Sequence, residues 1–336
     1  MKIKPPIGWS RSRLLLAIAS NNQDHATTSL TPTPPPPKNQ SQDLPQVIVL
    51  KPPPVLNFFR DLFSKKFDLL VSWESPLPTD QFLTTHAHSV QAMLCSGTGP
   101  PISADIIRLL PSLKLVVTTS AGLNHIDLTE CRKRGIAIAN AGEVFSEDVA
   151  DMAVALLIDV LRKVSAADRY VRQRLWATKG DFPLGSKLGG KRIGIVGLGS
   201  IGFQVAKRLE AFGCSILYNS RKEKEFVSYP FYTNVWKFYW HWGRKELLSI
   251  LGRGAIIDEK ELVQCLVQGE IGGAGLDVFE NEPNAPKELF ALDNVVLAPH
   301  MAVFTPESFK ALCDIMIGNL EAFFSNKPLL SPVMNE

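Results

Sequence analysis

The sequence predicts an α/β protein of two parallel-sheet lobes with a cleft between them. Three observations carry this reading. From Gln46 onward, short β-branched runs alternate with helix-length intervals; the alternation restarts near Lys191 with a strand, a glycine turn and a helix; and 336 residues exceed one ordinary domain.

In the first lobe the runs Val47–Leu50, Asp68–Ser72, Val90–Cys95, Leu115–Thr119 and Ile136–Asn140 predict a parallel sheet of about five strands. Ser146 then offers an N-cap, Glu147 and Asp148 suit the positive end of a helix dipole, and Val149–Leu161 is apolar around most of its circumference. One face of such a helix can pack on its own lobe and the other calls for a partner, so a homodimer is expected. The second unit reads as strand Arg192–Val196, helix Ile201–Phe212 and strand Ser215–Asn219, with further strands at Ala255–Ile257, Gly273–Val278 and Val295–Ala298. A closing helix, Pro306–Phe324, is expected to return to the first lobe. The division is therefore discontinuous: 1–46 a disordered tail, 47–145 with 299–336 one lobe, and 146–298 the other.

Charge excludes one class of partner. The net charge of +3 arises within residues 1–46, and the remainder balances 31 basic against 31 acidic residues, leaving no overall excess to attract nucleic acid. No apolar run reaches the roughly 18 residues of a membrane span. The five cysteines have no close pair and read as reduced thiols of an intracellular protein, and the histidines form no metal cluster. The tail carries the proline tract Thr31–Pro37 and has no acid before Asp24. It is expected to be an extension on a cytosolic protein, with a plastid or mitochondrial transit peptide as the alternative.

Gly197-Leu-Gly-Ser-Ile-Gly202 follows an apolar strand and opens a helix, which is the context of a Rossmann-like dinucleotide turn. Gly197 makes the turn, Gly199 with Ser200 and Ile201 meets the pyrophosphate, and Gly202 lets helix pack on strand. The next strand ends Tyr218-Asn219-Ser220-Arg221-Lys222, without the acid that would bond a ribose 2′-hydroxyl. Ser220, Arg221 and Lys222 can instead bind a 2′-phosphate, so NADPH is the expected cofactor. Arg253, Asp277, Glu282 and His300 stand at turns near strands. An arginine can grip a carboxylate, a histidine can protonate a nascent alkoxide, and a carboxylate can hold the imidazole. On the residues alone, a lone histidine after Pro299 is structural more often than catalytic.

Leu188–Gly202, Gly252-Arg-Gly-Ala-Ile-Ile-Asp-Glu259, Gly275-Leu-Asp-Val-Phe-Glu-Asn-Glu-Pro283 and Ala298-Pro-His300 together resemble the successive signatures of the D-isomer-specific 2-hydroxyacid dehydrogenases, over about 47–333. Tyr218–Arg221 and Val303–Ser308 look closest to the family's plant glyoxylate/hydroxypyruvate and hydroxyphenylpyruvate reductases. The resemblance implies NADPH-dependent reduction of a small 2-keto acid, with Arg253, Glu282 and His300 as the catalytic trio and Asp277 near the nicotinamide amide. Ser120–Asp127 resembles the family's substrate-carboxylate loop, so N–H groups around Ala121 and Gly122, with Ser96 and Gly97 opposite, are implied to receive that group. An aryl pyruvate is the alternative substrate. A catalytically impaired dinucleotide-binding protein is the alternative of another class, since fold does not fix function.

One stretch departs from the family pattern. Only 31 residues separate Arg221 from Arg253, where the resemblance implies roughly 55 to 60, enough for a further strand and helix. Phe226–Trp242 holds nine of the chain's 29 aromatic residues and shows no β alternation, and Glu246–Gly252 reads as a helix end joined to the arginine turn. The second lobe is thus expected to be truncated by an internal deletion.

Overall fold

The structure, a computed structural model, describes residues 44–233, 247–250 and 258–333, and of 247–250 the backbone. Residues 1–43 of the expected tail, Arg253, the strand expected at Ala255–Ile257 and the aromatic run Trp236–Trp242 lie outside the described residues.

The first lobe runs β1 (Gln46–Val49), α1 (Pro54–Ser64), β2 (Asp68–Val71), α2 (Thr79–His86), β3 (Ala92–Cys95), α3 (Ala104–Arg108), β4 (Leu115–Thr118), α4 (Leu128–Arg134) and β5 (Ala137–Ala139). All five strands are parallel, in the order β2-β1-β3-β4-β5. Successive side chains on a strand point to opposite faces, and both faces here are covered. Val47, Val49, Leu94 and Val117 pack with Phe63 of α1, while Ile48, Met93 and Val116 pack with Leu83 of α2, Ile107 of α3 and Cys131 of α4.

The chain continues through α5 (Ser146–Arg162), α6 (Val164–Arg172) and α7 (Leu175–Lys179) to β6 (Arg192–Val196), α8 (Ser200–Ala211), β7 (Ser215–Asn219) and β8 (Phe231–Tyr232). It then forms β9 (Leu247–Ile250), α9 (Glu259–Val267), β10 (Gly273–Leu276), β11 (Val295–Leu297) and α10 (Pro306–Phe324). Thr305 caps α10 by accepting from Ser308 N at 3.0 Å, and Leu312, Cys313, Met316 and Leu320 of this helix return to the core of the first lobe.

Two elements differ from the sequence-based expectation. Leu247–Ile250, read as a helix end, is a strand parallel to β10, with Leu247 opposite Gly273 and Ile250 opposite Leu276. Periodicity does not separate a helix from a strand over four apolar-rich residues. Phe231–Tyr232, inside the stretch without alternation, pairs with β7 and is anchored by Asn219 Nδ2, which donates to Tyr232 O at 2.6 Å. A two-residue strand is too short to display a period.

Among the described residues the second lobe is two three-stranded parallel sheets, β6-β7-β8 and β9-β10-β11, with no ladder joining them. Helix α5 straps both. Val154 and Leu161 enter the core of the first sheet, and Leu156 lies against Gly275 of β10, where an added Cβ would stand 2.8 Å from Leu156 Cβ. This changes the argument for a dimer: Val149, Ala150, Ala153, Val154, Leu156, Val160 and Leu161 are buried by their own chain. The start of α5 also differs. Phe145 occupies the N-cap position, and Ser146 Oγ instead donates to Ser200 Oγ at 2.9 Å. No described helix is long and apolar enough to cross a membrane, and no three described His, Cys, Asp or Glu side chains are placed to hold a metal ion.

Candidate active site

The glycine turn between β6 and α8 has the geometry its residues require. Gly197 adopts φ 93°, a left-handed conformation, and its N–H donates to Asn219 O at 2.8 Å. A Cβ on Gly202 would lie 2.2 Å from Gly197 O, so only glycine lets the helix close on the turn. Gly199 faces open space at the start of a 12-residue helix, where Ser200 and Ile201 follow. An open cradle of N–H groups at a helix N-terminus fits a pyrophosphate. At the end of β7, Asn219 is buried, while Arg221 and Lys222 are exposed and form no ion pair among the described residues. The Ser220 hydroxyl turns back to donate to Lys222 O.

Beyond β10 and β11, Glu282 Oε2 lies 2.8 Å from His300 Nδ1, and Glu282 Oε1 accepts from Phe279 N at 3.1 Å. His300 takes φ 52°, and its N–H donates to Asp277 O at 2.8 Å. Asp277 is 1% exposed, and its carboxylate accepts from Met301 N at 2.8 Å and Ala302 N at 3.1 Å. The structure thus gives Asp277 a task the resemblance did not imply: it fixes the loop that holds His300 in a backbone conformation rare for a side-chain-bearing residue. Arg253 lies outside the described residues.

The two loops that the resemblance assigns to the substrate carboxylate follow β3 and β4. Ala121 and Gly122 have no hydrogen-bond partner for their N–H groups among the described residues, which leaves two donors on this loop. The opposite side differs. Gly97 N donates to Ser120 Oγ at 2.8 Å and Thr98 N to Ser96 Oγ at 3.2 Å, so the Gly97 N–H is already engaged by the neighbouring loop. The contacts made by the side chains of Ser120, Asn140 and Asp148 were not expected from the sequence. Asn140 Nδ2 donates to Ala121 O at 2.8 Å, steadying the receptor loop. Asp148 accepts from Thr305 Oγ1 at 2.5 Å and from Ser308 Oγ at 2.6 Å, pinning the start of α5 to the start of α10. The motif around Ser120 was visible, but its bond to Gly97 joins two loops across the sheet and leaves no local signal.

A parallel-sheet lobe opening on a dinucleotide turn, with a carboxylate-held histidine beyond the ends of neighbouring strands, defines an NAD(P)-dependent oxidoreductase. The chain belongs to the D-isomer-specific 2-hydroxyacid dehydrogenase family, whose catalytic-domain model matches residues 47–334. It is 50% identical over 317 residues to glyoxylate/hydroxypyruvate reductase HPR3 of Arabidopsis thaliana, covering 86% of this chain and 97% of that one. It is 40% identical over 311 residues to hydroxyphenylpyruvate reductase of Plectranthus scutellarioides, covering 85% and 98%. Among solved structures, the NADPH-dependent glyoxylate/hydroxypyruvate reductase SmGhrB of Sinorhizobium meliloti, in complex with NADP and malonate, superposes with a TM-score of 0.78 at 31% identity, covering 86% and 96%. The chain is accordingly an NAD(P)-dependent 2-hydroxyacid dehydrogenase or reductase.

Proposed function

We propose that the protein reduces glyoxylate, hydroxypyruvate or a comparably small 2-keto acid with NADPH. The observation that carries this is the Glu282–His300 pair at 2.8 Å, fixed at both ends by backbone contacts. The dinucleotide, when bound, supplies the hydride. His300 holds Nδ1 against Glu282 and has no partner for Nε2 among the described residues, so Nε2 is the atom that delivers a proton to the nascent alkoxide. The Ala121 and Gly122 N–H groups receive the substrate carboxylate, and Arg253 is assigned the second grip on it by the resemblance. The relatives' substrates support the small keto acid, and the complex of SmGhrB with malonate supports a site that accepts a carboxylate.

NADPH rather than NADH is part of the proposal, supported by the exposed Arg221 and Lys222 at the end of β7. So is a homodimer, now supported by other residues than α5: Trp176 of α7 is 64% exposed and Leu184 beyond it 95% exposed, with Val164 and Val171 of α6 also exposed. Sedimentation at micromolar concentration tests this, and a monomer would remove it. Cytosolic residence is proposed on the five free thiols, and the location of a fluorescent fusion tests it. A second reading, a dinucleotide-binding protein with impaired turnover, is favoured by the two sheets of the second lobe that no ladder joins among the described residues. Oxidation of NADPH followed at 340 nm with glyoxylate, hydroxypyruvate and hydroxyphenylpyruvate separates the readings. Turnover of the first two is expected, preference for the third would make the chain an aryl-pyruvate reductase, and binding of NADPH without turnover would establish the second reading.

A further inference from the structure

The strand order β2-β1-β3-β4-β5 reverses direction between β1 and β3, and a doubly wound sheet binds ligands in the crevice at the carboxyl ends of such a pair. Lys51 is separated from the end of β1 by one residue, Leu50, and the loop Ser96–Gly99 follows β3. The Lys51 ammonium crosses the switch point to donate to Thr98 O at 3.2 Å, two residues from Ser96. Ser72, after β2, secures the other flank by donating to Leu50 O at 2.8 Å.

An ammonium has three donors, and one is used here. The residue is exposed and forms no ion pair among the described residues. A fixed positive charge with two free donors therefore stands beside the loops that receive the substrate carboxylate.

We infer that Lys51 is a specificity residue that recognises a second carboxylate on the substrate, so that the protein favours dicarboxylic 2-keto acids over monocarboxylic acids of the same length. The inference rests on the keto-acid reading above. The first carboxylate lies on the Ala121 and Gly122 N–H groups, and the far end of the substrate reaches the crevice between β1 and β3. The bond to Thr98 O holds the ammonium in place while its remaining donors meet the distal carboxylate as charge-assisted hydrogen bonds.

The test uses the full chain with NADPH and two acids that differ by one group, 2-oxobutanoate and 2-oxobutanedioate. The wild-type protein is expected to show a kcat/KM at least about tenfold higher for the dianion, consistent with a charged hydrogen bond. Lys51→Met should abolish that preference while holding 2-oxobutanoate and glyoxylate within about twofold, and Lys51→Arg should restore part of it. An unchanged ratio in Lys51→Met would reduce the residue to a loop cap, and an equal loss on both acids would place it on the first carboxylate; either overturns the inference. If no keto acid is reduced, the functional reading fails separately. Calorimetric titration with malonate then decides: binding about tenfold weaker in Lys51→Met supports the second-carboxylate site, and equal or absent binding overturns it.

Discussion

Glu282 Oε2 lies 2.8 Å from His300 Nδ1, and the other oxygen of that carboxylate is held by Phe279 N. The imidazole is thereby fixed at one nitrogen, and the other has no partner among the described residues. His300→Ala should lower kcat by about 10²–10⁴. Glu282→Gln keeps the shape and removes the charge, so it should fall between the variant and the wild type, with the KM for NADPH unchanged. Steady-state kinetics at saturating NADPH check both, and a His300→Ala protein with near-normal kcat removes the proton role.

Arg221 and Lys222 stand exposed where β7 ends, with no acid beside a ribose 2′ position. Loss of a charge-assisted phosphate contact costs about 1.5–3 kcal/mol. Arg221→Ala should therefore lower the ratio of NADPH to NADH efficiency by roughly ten- to a hundredfold. Equal ratios in the two proteins would show that the turn plays no part in choosing the cofactor.

Burial pushes the Cys95 thiol up from an ordinary value of 9.0 to about 12, although a hydrogen bond with Thr118 acts in the opposite direction. The folded state keeps this proton while the unfolded state releases it. Its contribution to stability is present below about pH 9 and is lost as pH rises toward about 12. Iodoacetamide at pH 8 should leave Cys95 unmodified in the native protein and alkylate it in urea, as peptide mass mapping would show. Rapid native labelling would mean that the strand end opens.

Sheets β6-β7-β8 and β9-β10-β11 are held by one helix, with no ladder between them among the described residues. A parallel βαβ unit needs roughly 30 residues, and the interval before Arg253 holds 31 in all. Inserting a family-length strand and helix between Tyr232 and Leu247 should join the sheets and raise NADPH-dependent turnover by at least about tenfold, since misplacement of reacting groups by about 1 Å can cost a hundredfold. Equal turnover with and without the insertion would show that the short connection is tolerated.

The first lobe was legible because its strands are buried on both faces and read as unbroken apolar runs, as in Val47–Val49 and Leu115–Val117. Helix α10 was bounded correctly at Pro306 and Phe324, and Gly197 and Gly202 announced themselves through a turn that tolerates no side chain. His300 and Glu282 stood out by resemblance, while the distance between them needed the fold. Strands β8 and β9 were hidden because two and four residues carry no period. The bonds from Ser120 to Gly97 and from Asp148 to Thr305 and Ser308 join residues far apart in the chain, so no local pattern encodes them.

The Asp148 carboxylate has a mechanical meaning. The chain leaves the first lobe just before α5 and comes back to it just before α10, and this one side chain grips the beginnings of both helices. Were one half of the molecule to rotate against the other, this pin would act as a fulcrum between the two crossings, and distant rims would sweep longer arcs than atoms near it. His300 lies five residues before Thr305 in the chain. In such a rotation His300 would keep its alignment with Glu282, and the far ends of the lobes would carry the travel.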